Sequence, residues 1–365
     1  MAFCLRCLLS PVLHALLDVI SVGMSRNTLR RKRLWGRNTL DILWIMSHGM
    51  RHLSDPLGDW LSVSRIAQTM TVIAFVTYED SGGFTSDDHQ LVLALRDRGV
   101  EVEPVVWDDP YIDWRRFPLV VIRSVWDYHL KANRFREWVS TFLEHPGQLW
   151  NPPAAVLGNI NKGYLLDLAA AGHSVVPTTY VAAGSGLKLK EIMESHGWTQ
   201  AVIKPVVSAG AMGAWKCSLA EADEDQGRFA QSGWDCDLLV QEYLEEILHG
   251  EWSFVFLAGE FSHAVLKESP DGDFRIQNVT AHITAMDPSE QMVQAAEEML
   301  TGTQGPLLYA RVDAVERDGR LVLMELEINE PYLFLSYSTE APVRFAEKIL
   351  AMVERTGEQA IRADR

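Results

Sequence analysis

The stretch Leu321-Val-Leu-Met-Glu-Leu-Glu-Ile-Asn-Glu-Pro331 limits the fold of this chain more than any other. It begins as an apolar strand, carries Glu325, Glu327, Asn329 and Glu330 in quick succession, and stops at a proline. Side chains alternate along a strand, so Glu325, Glu327 and Asn329 share one face. Three oxygen-bearing groups in a row on an apolar strand repel each other and resist desolvation unless something positive sits among them. A hard divalent cation, which takes oxygen ligands, meets that need. A half-exposed antiparallel strand with a solvated face meets it too. The rest of the chain has to choose between the two.

Just upstream lies a second apolar strand, Leu307 to Val315, with Asp313 projecting from it. The turn Arg317-Asp318-Gly319-Arg320 folds it back against the first. Asp313 and the pair Glu325/Glu327 then stand on neighbouring antiparallel strands, where side chains on one face approach within about 5–8 Å.

Two lysines stand earlier in the chain. Lys204 ends the apolar run Ala201-Val-Ile and is followed by a small-residue loop holding Ser208, Gly210 and Gly213. An ammonium at a strand end beside such a loop suits a phosphate, because backbone N–H groups can wrap the oxygens. The spacing is not that of a Walker loop. A lysine snorkelling from a strand into a hairpin gives the same pattern. Lys162 opens a helix that runs to about Ala171.

The remaining segments alternate strand and helix. Apolar strands at 71–77, 100–107 and 119–122, with a helix from Asp88 to Arg98, imply a parallel sheet covered by helices. Ligands of such sheets gather beyond the carboxyl ends of strands. Arg123 and Ser124 fall there, followed by Trp126 and Tyr128. Arg123 can grip a carboxylate there, or pair with Asp127 at the surface. The helix 134–144 carries Phe135, Trp138, Val139 and Phe142 as core. Strands at 250–256 and 261–267 turn about Gly259 as a hairpin.

The chain of 365 residues has a formal net charge of −16, unevenly spread. Residues 1–69 hold nine Lys/Arg against four Asp/Glu, and the remaining residues hold twenty-four against forty-five. So acidic a body argues against nucleic acid as a partner. Four cysteines in a chain this long do not make a disulfide framework, and Cys4-x-x-Cys7 lacks a second pair. A cytoplasmic setting without membrane contact is expected. Met70-Thr-Val-Ile-Ala-Phe reads as the start of a domain, so residues 1–69 are expected to be an extension, poorly ordered or not native.

The order of these parts is specific: Lys162, Lys204 with its loop, Val240-Gln-Glu-Tyr-Leu244, Gly250-Glu251, Asp313, then Glu327-Ile-Asn329 before a proline. Over about residues 71–355 the chain resembles the ATP-grasp superfamily of carboxylate–amine ligases. Asp273 to Arg275 is similar to ribosomal-protein glutamate ligases and glutathione synthetases. Residues 121–128, 325–327, 330–331 and 333–335 most resemble the subgroup containing the ATP-grasp enzyme of cycloserine biosynthesis.

The resemblance implies an α/β and α+β architecture: an N-terminal parallel-sheet domain (70–155) and two α+β subdomains (156–237 and 238–356) sandwiching ATP, with a tail at 357–365. It implies that Lys162 and Lys204 hold the α- and β-phosphates and that Ser208, Gly210 and Gly213 belong to a lid. Gln241, Glu242, Tyr243 and Leu244 would meet adenine, and Glu251 ribose. Asp313, Glu327 and Asn329 would hold two magnesium ions, or manganese, with Glu325 as the alternative register. Arg275 would steady the acyl phosphate and the tetrahedral intermediate, with Lys267 and Arg123 as further catalytic candidates. The activity implied is ATP-dependent joining of a small carboxylate to an amine, releasing ADP and phosphate. ATP-driven cyclisation of one amino-acid-like molecule is the alternative, and a nucleotide binder without turnover the second. A homodimer stays open. A hydrolase using Glu325 and Glu327 fails on geometry, because neighbours two apart on a strand leave no room for a sugar between them.

Overall fold

The computed structural model describes residues 71–363 apart from 271 and 277–279. The expected extension 1–69, with Cys4 and Cys7, lies outside the described residues. Three sheets carry the described part of the chain.

The first sheet has the order β2-β1-β3-β4 and is wholly parallel. Its strands are β1 (Thr71–Thr77), β2 (Val100–Val106), β3 (Val120–Ser124) and β4 (Leu149–Trp150). The last five residues of β1 and all of β3 are buried, as near-continuous apolar strands covered on both faces should be. One face takes α1 (His89–Arg96) through Leu91, Val92 and Leu95. The other takes α2 (Ala132–Ser140), whose Phe135, Trp138 and Val139 pack with Phe142, as expected from their spacing. A short helix that the sequence pattern does not announce, α3 (Pro153–Asn159), comes next, with proline in its first turn. After it stands α4 (Tyr164–Ala170).

The second sheet, β5-β8-β6-β7, is antiparallel. It comprises β5 (Thr178–Val181), β6 (Gln200–Pro205), β7 (Trp215–Ser218) and β8 (Leu238–Glu242), covered by α5 (Leu189–His196) and α6 (Ala222–Ser232). The boundary expected at 237/238 is therefore corrected. Strand β8 lies between β5 and β6 and belongs to this sheet, so the change of subdomain comes after Glu242.

The third sheet has the order β11-β10-β9-β12-β13. Its strands are β9 (Glu251–Leu257), β10 (Glu260–Glu268), β11 (His282–Met286), β12 (Tyr309–Arg317) and β13 (Arg320–Glu327), with α7 (Glu290–Glu298) beside them. The β12–β13 hairpin turns on Asp318 and Gly319, both at positive φ (53° and 74°). That pair matches the right-handed twist of the strands. It sets Asp313 opposite Glu325 and Arg311 opposite Glu327.

The final helix, α8 (Ala341–Ala363), continues past the expected end near Thr356. Gly357 reads as a stop, yet Glu358, Gln359 and Ala360 favour continuation. Its Phe345, Ile349 and Met352 share one core with α1 and β1. Between β13 and α8 the chain makes a turn at Phe334, φ 52°. The Leu333 and Leu335 N–H groups donate to the two oxygens of Asp87, at 2.8 and 2.6 Å. On its other side His263 Nε2 lies 2.9 Å from the Leu333 carbonyl and 3.1 Å from that of Phe334.

Candidate active site

One cleft of about 1020 Å³ collects residues from all three sheets. Its walls hold Lys204 of β6, Glu251 of β9, Lys267 of β10, Asp313 of β12 and Glu325 of β13, with Trp126, Tyr128 and His129 following β3.

Alternation organises its floor. Arg311 and Asp313 are two apart on β12 and point the same way. Arg311 donates to both oxygens of Asp313, at 2.9 and 2.7 Å, and reaches Glu327 Oε1 at 2.7 Å. Ser253 Oγ donates to Asp313 from the opposite strand. Lys267 bonds Glu251 at 2.6 Å and lies 3.5 Å from Asp313. Lys162, between α3 and α4, bonds Glu325 at 2.9 Å and donates to the Ser208 carbonyl.

Burial resists every one of these charges, and the pairs answer it unequally. For Asp313, burial would raise the pKa, but Arg311 and Lys267 hold it down at about 2. Glu325 is likewise held low against burial by Lys162 and Lys204. Glu327 is pushed up to about 7, by burial and by Asp313 and Glu325, against the pull of Arg311. Burial raises Glu251 and raises Glu330 further, with Glu327 beside the latter. Burial lowers Lys204 despite Glu325 nearby.

The acids expected at the metals, Asp313, Glu325, Glu327 and Asn329, all line this cleft. Arginine and lysine stand between the three carboxylates, and among the described residues no three acidic, histidine or cysteine groups form a metal-sized cluster. A metal here must displace Arg311 or Lys162 from part of its contact. Asn329 is different: its amide oxygen and nitrogen are both buried without a hydrogen-bond partner. An unmet buried amide costs about 1–3 kcal/mol, and its oxygen suits a hard cation. The donor set therefore fits magnesium.

Other expected residues are placed differently. Arg123 does not line the cleft; it is buried, bonds Asp88 at 2.8 Å and lies 3.9 Å from Asp87. The entry to helix α1 supplies these acids, so neither a substrate clamp nor a surface pair with Asp127 holds. Ser124 is spent on Thr77. Arg275 lines the cleft, but its exposed guanidinium is folded onto Asp273 of its own loop, at 2.6 Å. Glu251 is in the cleft, yet its carboxylate is taken by Lys267 rather than left for a ribose. The Glu242 carboxylate is held by Arg317, both bonds 3.3 Å. Gln241 donates to Thr178, and the Tyr243 N–H bonds the Gln200 carbonyl. Gln241 to Leu244 still line the cleft. In the 208–213 loop, Ser208 and Gly210 line it and Gly213 does not. Gly213 shapes the loop: φ is +75°, and a Cβ would sit 3.0 Å from Pro205 Cγ.

Two residues went unread in the sequence. Arg311 is one, and the alternation that grouped Glu325 with Glu327 also puts it beside Asp313. His129 is the other; it directly follows the Trp126–Tyr128 stretch and lines the cleft.

Residues 73–151 match the family described as D-cycloserine synthetase DcsG, N-terminal domain. The chain is 31% identical over 302 residues to the cycloserine biosynthesis protein DcsG of Streptomyces lavendulae, covering 78% of this chain and 99% of that one. A crystal structure of D-cycloserine synthetase DcsG superposes with a TM-score of 0.66 at 27% identity, covering 78% and 99%. A D-alanine–D-alanine ligase from Bacillus anthracis shares the fold at 14% identity and a TM-score of 0.57, covering 81% and 100%. The chain belongs to the ATP-grasp ligases, in the group of the cycloserine biosynthesis protein.

Proposed function

We propose that this chain phosphorylates the carboxyl group of a small amino-acid-like molecule with ATP and lets an amine displace the phosphate, giving an amide, ADP and phosphate. Lys204 carries the reading. Partly buried in the cleft wall, its ammonium makes no hydrogen bond or ion pair among the described residues, and burial lowers its pKa although Glu325 is near. An ammonium group without a direct ion-pair partner is costly in such a place. A polyphosphate supplies the missing charge.

In this reading Lys204 and Lys162 hold the α- and β-phosphates, and backbone groups of Gln241 to Leu244 meet adenine. Asp313, Glu327 and Asn329, with Glu325, hold two magnesium ions, replaceable by manganese. Magnesium, when bound, draws charge off the γ-phosphate so that a carboxylate can attack it. Arg311, giving up part of its contact with Asp313 and Glu327 to the metal, keeps a positive charge beside the phosphoryl group. The loop at Ser208 to Gly213 keeps water from the acyl phosphate, whose hydrolysis would waste ATP. A cytoplasmic setting and a homodimer belong to the same reading.

Ring closure within one molecule is the second reading, favoured by the 31% identity to a protein of cycloserine biosynthesis. Product mass separates the two: two substrates minus water, or one. The test incubates the protein with magnesium, ATP and pooled amino acids and dipeptides, following ADP and new masses. Magnesium–ATP should raise the melting temperature, and Lys204→Ala or Asp313→Ala should abolish the rise. No rise in the parent protein overturns the nucleotide reading.

A further inference from the structure

We propose that His129 is the base that takes the proton from the attacking amine. The proposal rests on the ligase reading above and adds a group to it that the phosphate and metal contacts do not supply.

His129 sits in the turn Tyr128–Lys131, just past the carboxyl end of β3, where ligands of parallel sheets collect. It is the one histidine among the described residues that line the cleft. Both ring nitrogens are buried, and neither makes a hydrogen bond of ordinary geometry. A buried imidazole with two unmet nitrogens is costly unless a ligand meets them.

Its surroundings fix its form. Burial and the Lys162 ammonium lower its proton affinity; the Trp126 carbonyl and Asp127 carboxylate oppose them and lose. Asp127 is itself occupied by Trp107 Nε1 at 2.8 Å and Lys131 at 2.9 Å. The Tyr128 ring lies edge-on at 6.1 Å and brings no charge. The free imidazole is therefore neutral and able to accept a proton. The floor acids are poor substitutes, since Asp313, Glu325, Glu327 and Glu251 are each held by a cation.

The step balances without further reagents. The amine nitrogen forms a bond to the carbonyl carbon, and the carbon–oxygen bond to phosphate breaks with its electron pair leaving on oxygen. The substrate enters as an ammonium ion: before the attack it gives one proton to His129, which frees its lone pair, and His129 later returns that proton to solvent. The second proton, released once the bond to carbon has formed, goes to the departing phosphate. Without His129 the ammonium has no lone pair with which to attack, whereas hydroxylamine needs no such first transfer.

The test compares two nucleophiles. The protein receives magnesium–ATP and pooled D- and L-amino acids, with or without hydroxylamine, which is already unprotonated at neutral pH. In His129→Gln and His129→Asn, hydroxamate formation and the magnesium–ATP thermal shift should persist. Amide formation should fall about a hundredfold or more. With each rate corrected for the unprotonated fraction of hydroxylamine, the parent's amide rate should decline in acid while its hydroxamate rate does not. If amide and hydroxamate fall together, or neither falls, the proposal is overturned. Should both variants lose the thermal shift, the parent's pH profile decides: parallel amide and hydroxamate profiles overturn it. A parent that forms neither product and consumes no ATP overturns the ligase reading instead.

Discussion

His263 and Asp87 hold opposite sides of the Leu333–Leu335 turn, and acid acts on them with opposite sign. Burial pushes the His263 pKa down to about 4, against the pull of the Leu333 and Phe334 carbonyls. Its unfolded value is near 6.5, so between about pH 6.5 and 4 the unfolded chain binds more protons at this site. The stabilisation is present above pH 6.5 and is lost as pH falls, by about 3 kcal/mol in all. Asp87 runs the other way: burial pushes it up to about 6, with Arg123 opposing. Its share is present below its unfolded pKa and lost as pH rises through about 6. Replacing His263 by Gln keeps a donor for the carbonyls and removes the titration, while Asp87 stays in both proteins. In urea unfolding, parent-minus-variant stability should drop by about 3 kcal/mol from pH 6.5 to pH 4. A flat difference refutes the assignment. At this scale the sequence told which acids share a face but not which cation each one meets. Arg123 and Asp88 are 35 residues apart, and their pairing is decided by where α1 packs. No local pattern carries that information.

Among elements, the β12–β13 hairpin decides the acids' positions through its turn. Gly319 has φ +74° with nothing near its absent side chain, so Gly319→Ala meets backbone strain alone. The cost should be about 1 kcal/mol or more by urea midpoint. The magnesium–ATP thermal shift should persist, because the register at Asp313 and Glu325 is set along the whole ladder. Loss of the shift would mean that the turn alone sets the site. This hairpin was legible because Asp-Gly between apolar runs is a local signal. Strand β8 falls on the far side of the expected 237/238 boundary because apolar strands read alike whichever partner they take. Strand β7 and α6 were not read at all: β7 spans only four residues, Trp215–Ser218, and α6 opens with a row of acids rather than an apolar face.

For the whole molecule, no helix among the described residues is long and apolar enough to cross a membrane. The described residues belong to one compact unit. The apolar side of α8 lies against α1 and β1, with Phe345 and Ile349 fully buried. A protein comprising residues 70–340 should therefore bare that core and aggregate on expression, while residues 70–365 stay dispersed. Equal dispersal by sedimentation would show that α8 is an accessory.

That docking also orders events in time. The first parallel sheet and the helices on its two faces are complete in backbone by Trp150, yet the helix that packs over α1 begins at Ala341. At ~5–20 residues per second the ribosome takes roughly ten to forty seconds to make the chain that lies between. Through that interval α1 presents an uncovered apolar side to the cell, a natural landing place for a chaperone.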